Sequence, residues 1–262
     1  MNPVGDLRVL GRSSAFIGLT FGLLACLEAD LRSSPASRQI PVTYKWMGRY
    51  GHSLLRLYGL SVTASGPHLD RGEIYPATDA RGLGRIFVMN HRSMLDIFVD
   101  LAFIEANTVS RADLATWPVI GLAARRVGTL FVDRSDKRSG AAVITAMING
   151  LESGRGVMVY PEGTTFAGDE VRPFRPGAFL AAMRAGAEIV PVGIAYGGTE
   201  SSYLQESFPA HYRRVVGSPQ TRIGLVAGEP FRAEDTDVKV IQQRARDEVQ
   251  ALVHRARAAI MA

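Results

Sequence analysis

Ile86-Phe87-Val88-Met89-Asn90-His91-Arg92-Ser93-Met94-Leu95-Asp96-Ile97-Phe98-Val99 is the stretch on which the reading of this chain turns. Its first four residues are a short apolar run, and the residues from Met94 to Ile104 are apolar at helical spacing, which predicts a buried strand, a tight turn and a helix. His91 then sits at a sheet edge. With Ser93 as N-cap, Asp96 falls in the first helical turn, where backbone N–H groups favour its ionised form and where it can share a proton with His91. A carboxylate holding one imidazole N–H leaves the other nitrogen free to take a proton from an incoming hydroxyl, the arrangement of a general base. Ser93-Met94-Leu95-Asp96 also fits a capping box, with Asp96 as a structural cap; the two roles can coexist.

Three further stretches follow in order: Gly128-Thr129-Leu130-Phe131-Val132-Asp133-Arg134, Val159-Tyr160-Pro161-Glu162-Gly163-Thr164 and Ile189-Val190-Pro191-Val192. Together with the histidine block they resemble the four motif blocks of the glycerolipid acyltransferase family, which includes the 1-acylglycerol-3-phosphate acyltransferases. The resemblance runs from about residue 84 to residue 194, and the joint occurrence is specific although no single block is.

The second block puts Arg134 just past a strand, where a two-pronged guanidinium suits a phosphate monoester, although a solvated cluster with Asp133, Asp136, Lys137 and Arg138 fits the local composition as well. The resemblance aligns Arg134 with the arginine of the family's G-x-x-F-x-x-R block. In the third block Gly163 lets backbone N–H groups approach a ligand while Glu162 and Thr164 offer an acceptor and a hydroxyl. The resemblance implies that Glu162 and Gly163 help form the acyl-acceptor site; an ordinary strand-exit turn is the competing reading. Here the chain departs from the commonest family form, since Thr165 and Phe166 stand where an arginine and a serine usually follow the threonine. Arg172 and Arg175 are near enough in sequence to compensate, and each also fits a surface position. Pro191 of the fourth block lacks an N–H and suggests an edge strand or strand end.

The 262 residues are 47% hydrophobic, with no long Ser/Pro/Gly-rich linker, enough to bury one α/β core. The single cysteine, Cys26, excludes an intrachain disulfide and suits a reducing compartment. Net charge is +5, and the first 60 residues carry seven Arg/Lys against three Asp/Glu, so the basic excess is N-terminal. No dense Arg/Lys tract with interleaved aromatics is present, which argues against nucleic acid and for an anionic membrane surface.

Ser13 to Leu27 is uncharged but short for a bilayer span, which predicts shallow or interfacial placement. Lys45 to Leu60 mixes Trp46, Tyr50 and Tyr58 with leucines, Arg49 and Arg56, as an interfacial helix does; an ordinary helix packed on the domain fits equally. The resemblance implies that such a helical pair serves as membrane platform.

Candidate strands are 61–65, 85–89, 127–132, 157–160, 189–195 and 222–227; candidate helices are 94–105, 140–152, 176–185 and 237–260. Their alternation predicts an α/β fold with a mostly parallel central sheet flanked by helices. Residues 1–60 are expected to form membrane-associated helices and residues 61–262 the catalytic domain.

His52, His68, His211 and His254 are dispersed without metal-ligand spacing, so no metal is expected and a structural or surface role is their default. No nucleophile elbow, Walker A or dinucleotide fingerprint is present. The expected activity is transfer of a fatty acyl group from acyl-CoA or acyl carrier protein, as substrate and without a cofactor, to the hydroxyl of 1-acyl-sn-glycerol 3-phosphate. His91 and Asp96 are its catalytic pair, and Arg134, Glu162, Gly163, Thr164 and Arg175 its substrate contacts, at the cytoplasmic face of the cell membrane. An acyltransferase for another lysolipid, such as lyso-ornithine lipid, is the alternative within the class. A non-catalytic lipid-binding protein and a hydrolase that activates water with the same base are the alternatives outside it.

Overall fold

A computed structural model describes residues 3–133, 136–198, 201–233 and 237–261. Strand β2 (Ile86–Met89) has every residue buried, because helices cover both faces of the sheet. Its side chains alternate: Phe87 and Met89 enter one core, Ile86 and Val88 the other. Helices α2 (Gln39–Tyr58), α3 (Asp96–Phe103) and α7 (Phe208–Gly217) cover the first face through Leu54, Tyr58, Phe98, Val99 and Val215. Helices α5 (Lys137–Glu152), α6 (Gly177–Ala185) and α8 (Val238–Met261) cover the second through Val143, Met147, Phe179 and Val249.

The other strands are β1 (Leu60–Ser65), β3 (Asn107–Arg111), β4 (Leu130–Val132), β5 (Val157–Val159), β6 (Glu188–Tyr196), β7 (Thr221–Ala227) and β8 (Phe231–Arg232). The spatial order is β1-β7-β6-β2-β5-β3-β4, with β8 also on β6. Every pairing is parallel except those of β6 with β7 and β8, so the sheet is mostly parallel as expected. From β2 the chain crosses through α3 toward β3, whereas from β5 it crosses through α6 toward β6, on the other side of β2. Connections that diverge in this way open a crevice at the carboxyl ends of the central strands.

Three local readings need correction. Residues 127–132 are not one strand: Val127 ends helix α4 (Ile120–Val127), Gly128 closes it with φ 88°, and β4 follows. Strands β3 and β8 and helices α4 and α7 were not anticipated; β3 is polar and β8 has only two residues. Pro191 lies inside a central strand, paired with Val88 of β2. It is tolerated because the ladder on the other side is interrupted there: β7 pairing begins at Val192, β8 pairing ends at Ile189, and the Pro191 carbonyl still accepts from Gly228 N at 2.8 Å.

The N-terminal apolar segment is longer than residues 13–27 indicate. Helix α1 (Pro3–Ser33) is roughly 46 Å long at 1.5 Å per residue, long and apolar enough to cross a membrane. One side of it is nevertheless docked on the protein. Arg8 donates to Gly217 O at 2.7 Å, and Arg12 donates to Val216 O at 2.8 Å and Ser218 O at 2.5 Å, satisfying the last carbonyls of α7. Thr20 shares a 2.7 Å hydrogen bond with Tyr50 of α2. The opposite side exposes Val4, Leu7, Leu10, Ile17 and Phe21.

Candidate active site

Strands β6, β2 and β5 are neighbours, and their carboxyl ends carry Tyr196, Asn90-His91 and Tyr160. Asn90 ties two of these ends together, donating to Ile194 O and accepting from Ile194 N, both at 2.9 Å. The next residue, His91, places Nδ1 2.7 Å from Asp96 Oδ2. That oxygen also accepts from the backbone N–H groups of Arg92 (2.7 Å) and Ser93 (3.1 Å), while Tyr196 donates to Oδ1 at 2.5 Å. A fully buried carboxylate surrounded by donors is an acceptor, so Nδ1 carries the proton and Nε2 the lone pair. The His91 side chain keeps 20% of its surface, and Nε2 makes no hydrogen bond among the described residues. Helix α3 begins at Asp96 with Leu95 as its N-cap, so Ser93 is a residue of the turn and not the cap expected; its N–H still donates to Asp96, and one carboxylate shapes the turn and orients the histidine.

Arg92 and Glu162 form a buried ion pair beneath this turn, 2.7 Å apart with side chains 2% and 0% exposed. Glu162 Oε1 also accepts from His91 N (2.8 Å) and Oε2 from Arg172 N (2.9 Å). The rest of the Arg92 guanidinium donates to the carbonyls of His91, Gly168 and Glu170. Glu162 therefore turns inward. Where the sequence suggested an acceptor offered to substrate, the carboxylate braces the histidine turn against residues 161–172, because an unpaired buried charge is too costly.

The outward side of the same loop carries Thr164 and Arg175, whose side chain lies against buried Gly163. Gly163 has φ +81°, and a Cβ there would collide with Arg175 Nε. Glycine thus admits the exposed Arg175 guanidinium to the turn. Thr164 is exposed, and Phe166 N donates to His91 O at 3.0 Å, which holds the loop beside the histidine. The Arg172 guanidinium lies over the Phe166 ring at 5.5 Å. His91, Asp96, Glu162, Gly163, Thr164 and Arg175 thus belong to one locality, while Arg134 lies outside the described residues.

Sequence reasoning missed the aromatic and histidine supports. The rings of Tyr160 and His91 stack at 4.2 Å, and Tyr160 donates to buried Asp100. Burial and the neighbouring carboxylates push the phenols of Tyr160 and Tyr196 well up, so both remain donors. Only the strand-end positions of Tyr160 and Tyr196, and the i, i+4 spacing of Asp96 and Asp100, carried any prior signal.

His211, expected in a structural or surface role, is buried in α7, and its Nε2 accepts from Met94 N (3.3 Å) and lies 3.2 Å from Ser93 Oγ. Its Nδ1 faces Glu206 Oε1 at 3.2 Å, with the Arg214 guanidinium alongside. Burial lowers its pKa, which Arg214 reinforces and Glu206 opposes. The unfolded chain takes up this proton near pH 6.5 and the folded chain resists it, so the neutral form stabilises the fold above that pH and the benefit is lost on acidification. Melting curves from pH 8 to pH 5 should show a steeper fall for the native chain than for His211→Gln; equal slopes would remove His211 from this dependence.

A family model described as Acyltransferase matches residues 74–195, the span that holds every one of these groups except Tyr196, Glu206, His211 and Arg214. The chain carries an acyltransferase domain over that span. This acyltransferase is 27% identical to the 1-acyl-sn-glycerol-3-phosphate acyltransferase of Neisseria gonorrhoeae over 177 residues, covering 65% of this chain and 69% of that one. It is 26% identical to the lyso-ornithine lipid O-acyltransferase of Pseudomonas aeruginosa over 252 residues, 93% of each chain. The lyso-ornithine lipid O-acyltransferase of Brucella abortus is 28% identical, with 97% of this chain and 96% of that one covered. The crystal structure of PlsC, the 1-acyl-sn-glycerophosphate (LPA) acyltransferase of Thermotoga maritima, shares the fold of this acyltransferase: TM-score 0.74, 17% identity, covering 98% of this chain and 96% of that one.

Proposed function

We propose that this acyltransferase moves a fatty acyl group from an acyl thioester, acyl-CoA or acyl carrier protein, to the free hydroxyl of 1-acyl-sn-glycerol 3-phosphate, giving phosphatidic acid. The observation that carries the reading is the His91 imidazole, bonded through Nδ1 to buried Asp96 and open at Nε2. Nε2 takes the hydroxyl proton as the oxygen attacks the thioester carbonyl, and Asp96 stabilises the imidazolium. When the tetrahedral intermediate collapses, the carbon–sulfur bond breaks and the imidazolium returns the proton to the departing thiolate. A positioned base supplies about 10²–10⁴-fold, and alignment of the two substrates the larger share. In this reading the exposed Arg175 guanidinium, at the Gly163 turn next to Thr164, holds an anionic head group. Arg134 is assigned to the same head group from the alignment of its block with the family pattern.

Two observations favour lyso-ornithine lipid as a second reading. Thr165 and Phe166 stand where the commonest family form has arginine and serine, and the likeness to the lyso-ornithine lipid acyltransferases runs nearly end to end. The exposed apolar side of α1 is proposed to lie in the cytoplasmic surface of the membrane, with the docked side fixing the site over the lipid source. Purified protein in liposomes should transfer labelled acyl groups from acyl-CoA to lysophosphatidic acid, with lyso-ornithine lipid as parallel acceptor and His91→Ala as control. Product only with lyso-ornithine lipid selects the second reading, and acyl release without an acceptor would replace transfer by hydrolysis.

A further inference from the structure

We propose that Tyr160 and Asp100 are positioning residues for His91, the phenol ring fixing the plane of the imidazole and the Asp100 side chain fixing the phenol. The proposal rests on the reading of His91 as the base. A single hydrogen bond from Nδ1 to Asp96 fixes one edge of the imidazole but leaves the ring free to tilt about that bond, and a tilt moves Nε2 away from the acceptor hydroxyl. The Tyr160 ring removes that freedom: it lies against the imidazole at 4.2 Å with an interplanar angle of 26°. Tyr160 is 7% exposed, follows β5 directly, and is anchored at its far end by its hydroxyl on Asp100.

Asp96 and Asp100 are one helical turn apart on α3, so they share a face. The first holds the edge of the imidazole and the second holds its face through Tyr160, and both are referred to one rigid helix. Asp100 is only 3% exposed, and among the described residues its Oδ1 is a buried side-chain oxygen without a hydrogen-bond partner. A leucine in this position would avoid that unmet demand, which is the mark of a polar group retained for a role. Burial pushes the Asp100 carboxyl well above the usual range, and the negative charge of Asp96 adds to the shift. The charged form of Asp100 is thereby disfavoured, and the charge that balances the imidazolium is concentrated on Asp96.

The test compares Tyr160→Phe, Asp100→Leu, their double variant and Asp100→Asn in steady-state transfer, with melting curves for each. Tyr160→Phe and Asp100→Leu should each lower kcat about tenfold, with KM within about twofold, as expected for a misaligned base. The double variant should fall no further than the worse single, because both break the same chain of contacts. Asp100→Asn, whose amide oxygen still accepts from Tyr160, should restore kcat to within about threefold of the native chain. It should also raise the melting temperature more at pH 8 than at pH 5, since the native acid must hold its proton against the higher pH.

Native kcat in Tyr160→Phe would overturn the proposal, and this variant decides the matter if Asp100→Leu does not fold. So would an Asp100→Asn variant as inactive as Asp100→Leu, which would make the charge the requirement. Full turnover in His91→Ala would instead overturn the underlying reading, whatever the Tyr160 and Asp100 variants do.

Discussion

Replacing His91 with alanine should lower acyl transfer by about 10²–10⁴-fold, the contribution of a positioned base, and leave the fold intact. The asymmetry follows from what the side chain holds. Its backbone N–H still donates to Glu162, and its carbonyl still accepts from Phe166 N and the Arg92 guanidinium. Asp96 loses one of four donors and keeps Arg92 N, Ser93 N and the Tyr196 hydroxyl, so no buried carboxylate is stranded. Turnover and thermal melting, measured on the same preparation, check both halves. Activity within a few-fold of the native chain would remove His91 from the chemistry, and a collapsed melting transition would show that its role is structural.

The reverse asymmetry is expected at the residue next to it. Arg92→Met should destabilise the protein by about 3–5 kcal/mol, the usual cost of removing one partner from a buried ion pair. Glu162 would be left charged and buried, and the carbonyls of Gly168 and Glu170 would lose their donor. Residues 161–172 would then no longer be tied to the histidine turn, so activity falls through misplacement rather than loss of a reacting group. Urea unfolding gives the stability directly. Pairing Arg92→Met with Glu162→Gln should recover part of the loss, because the stranded charge is gone. A change below about 1 kcal/mol in the single variant would place this pair with exposed, weakly coupled ion pairs.

What could be read before the fold was known follows from which interactions are local. The strand at residues 86–89, the helix after it and the His91–Asp96 contact lie within a few residues of one another, and periodicity describes them well, although the helix starts at Asp96 without the Ser93 cap. The parallel sheet was legible from the alternation of elements. Tyr196 reaches Asp96 across 100 residues, Tyr160 reaches Asp100 across 60 and His211 reaches Ser93 across 118. Nothing local marks such pairs. Glu162 shows the same limit in another form: its presence in a glycine turn suggested exposure, and only the distant Arg92 accounts for its burial. Helix α4 was hidden because Gly128, the residue that ends it, also begins the second block, and Pro191 misled because the interruption that tolerates it belongs to β7 and β8.

The grip of Arg8 on Gly217 has a consequence for synthesis. The two residues are 209 positions apart, so at about 5–20 residues per second roughly 10–40 s separate their appearance from the ribosome. During that interval α1 has been made and its docking surface on α7 has not, while α2, and later α4, whose Arg126 pairs with Glu28 of α1, are already available to it. Whatever shelters the apolar helix in that window meets it before the sheet exists, so the order of translation brings this helix to its surroundings ahead of the chemistry it later supports.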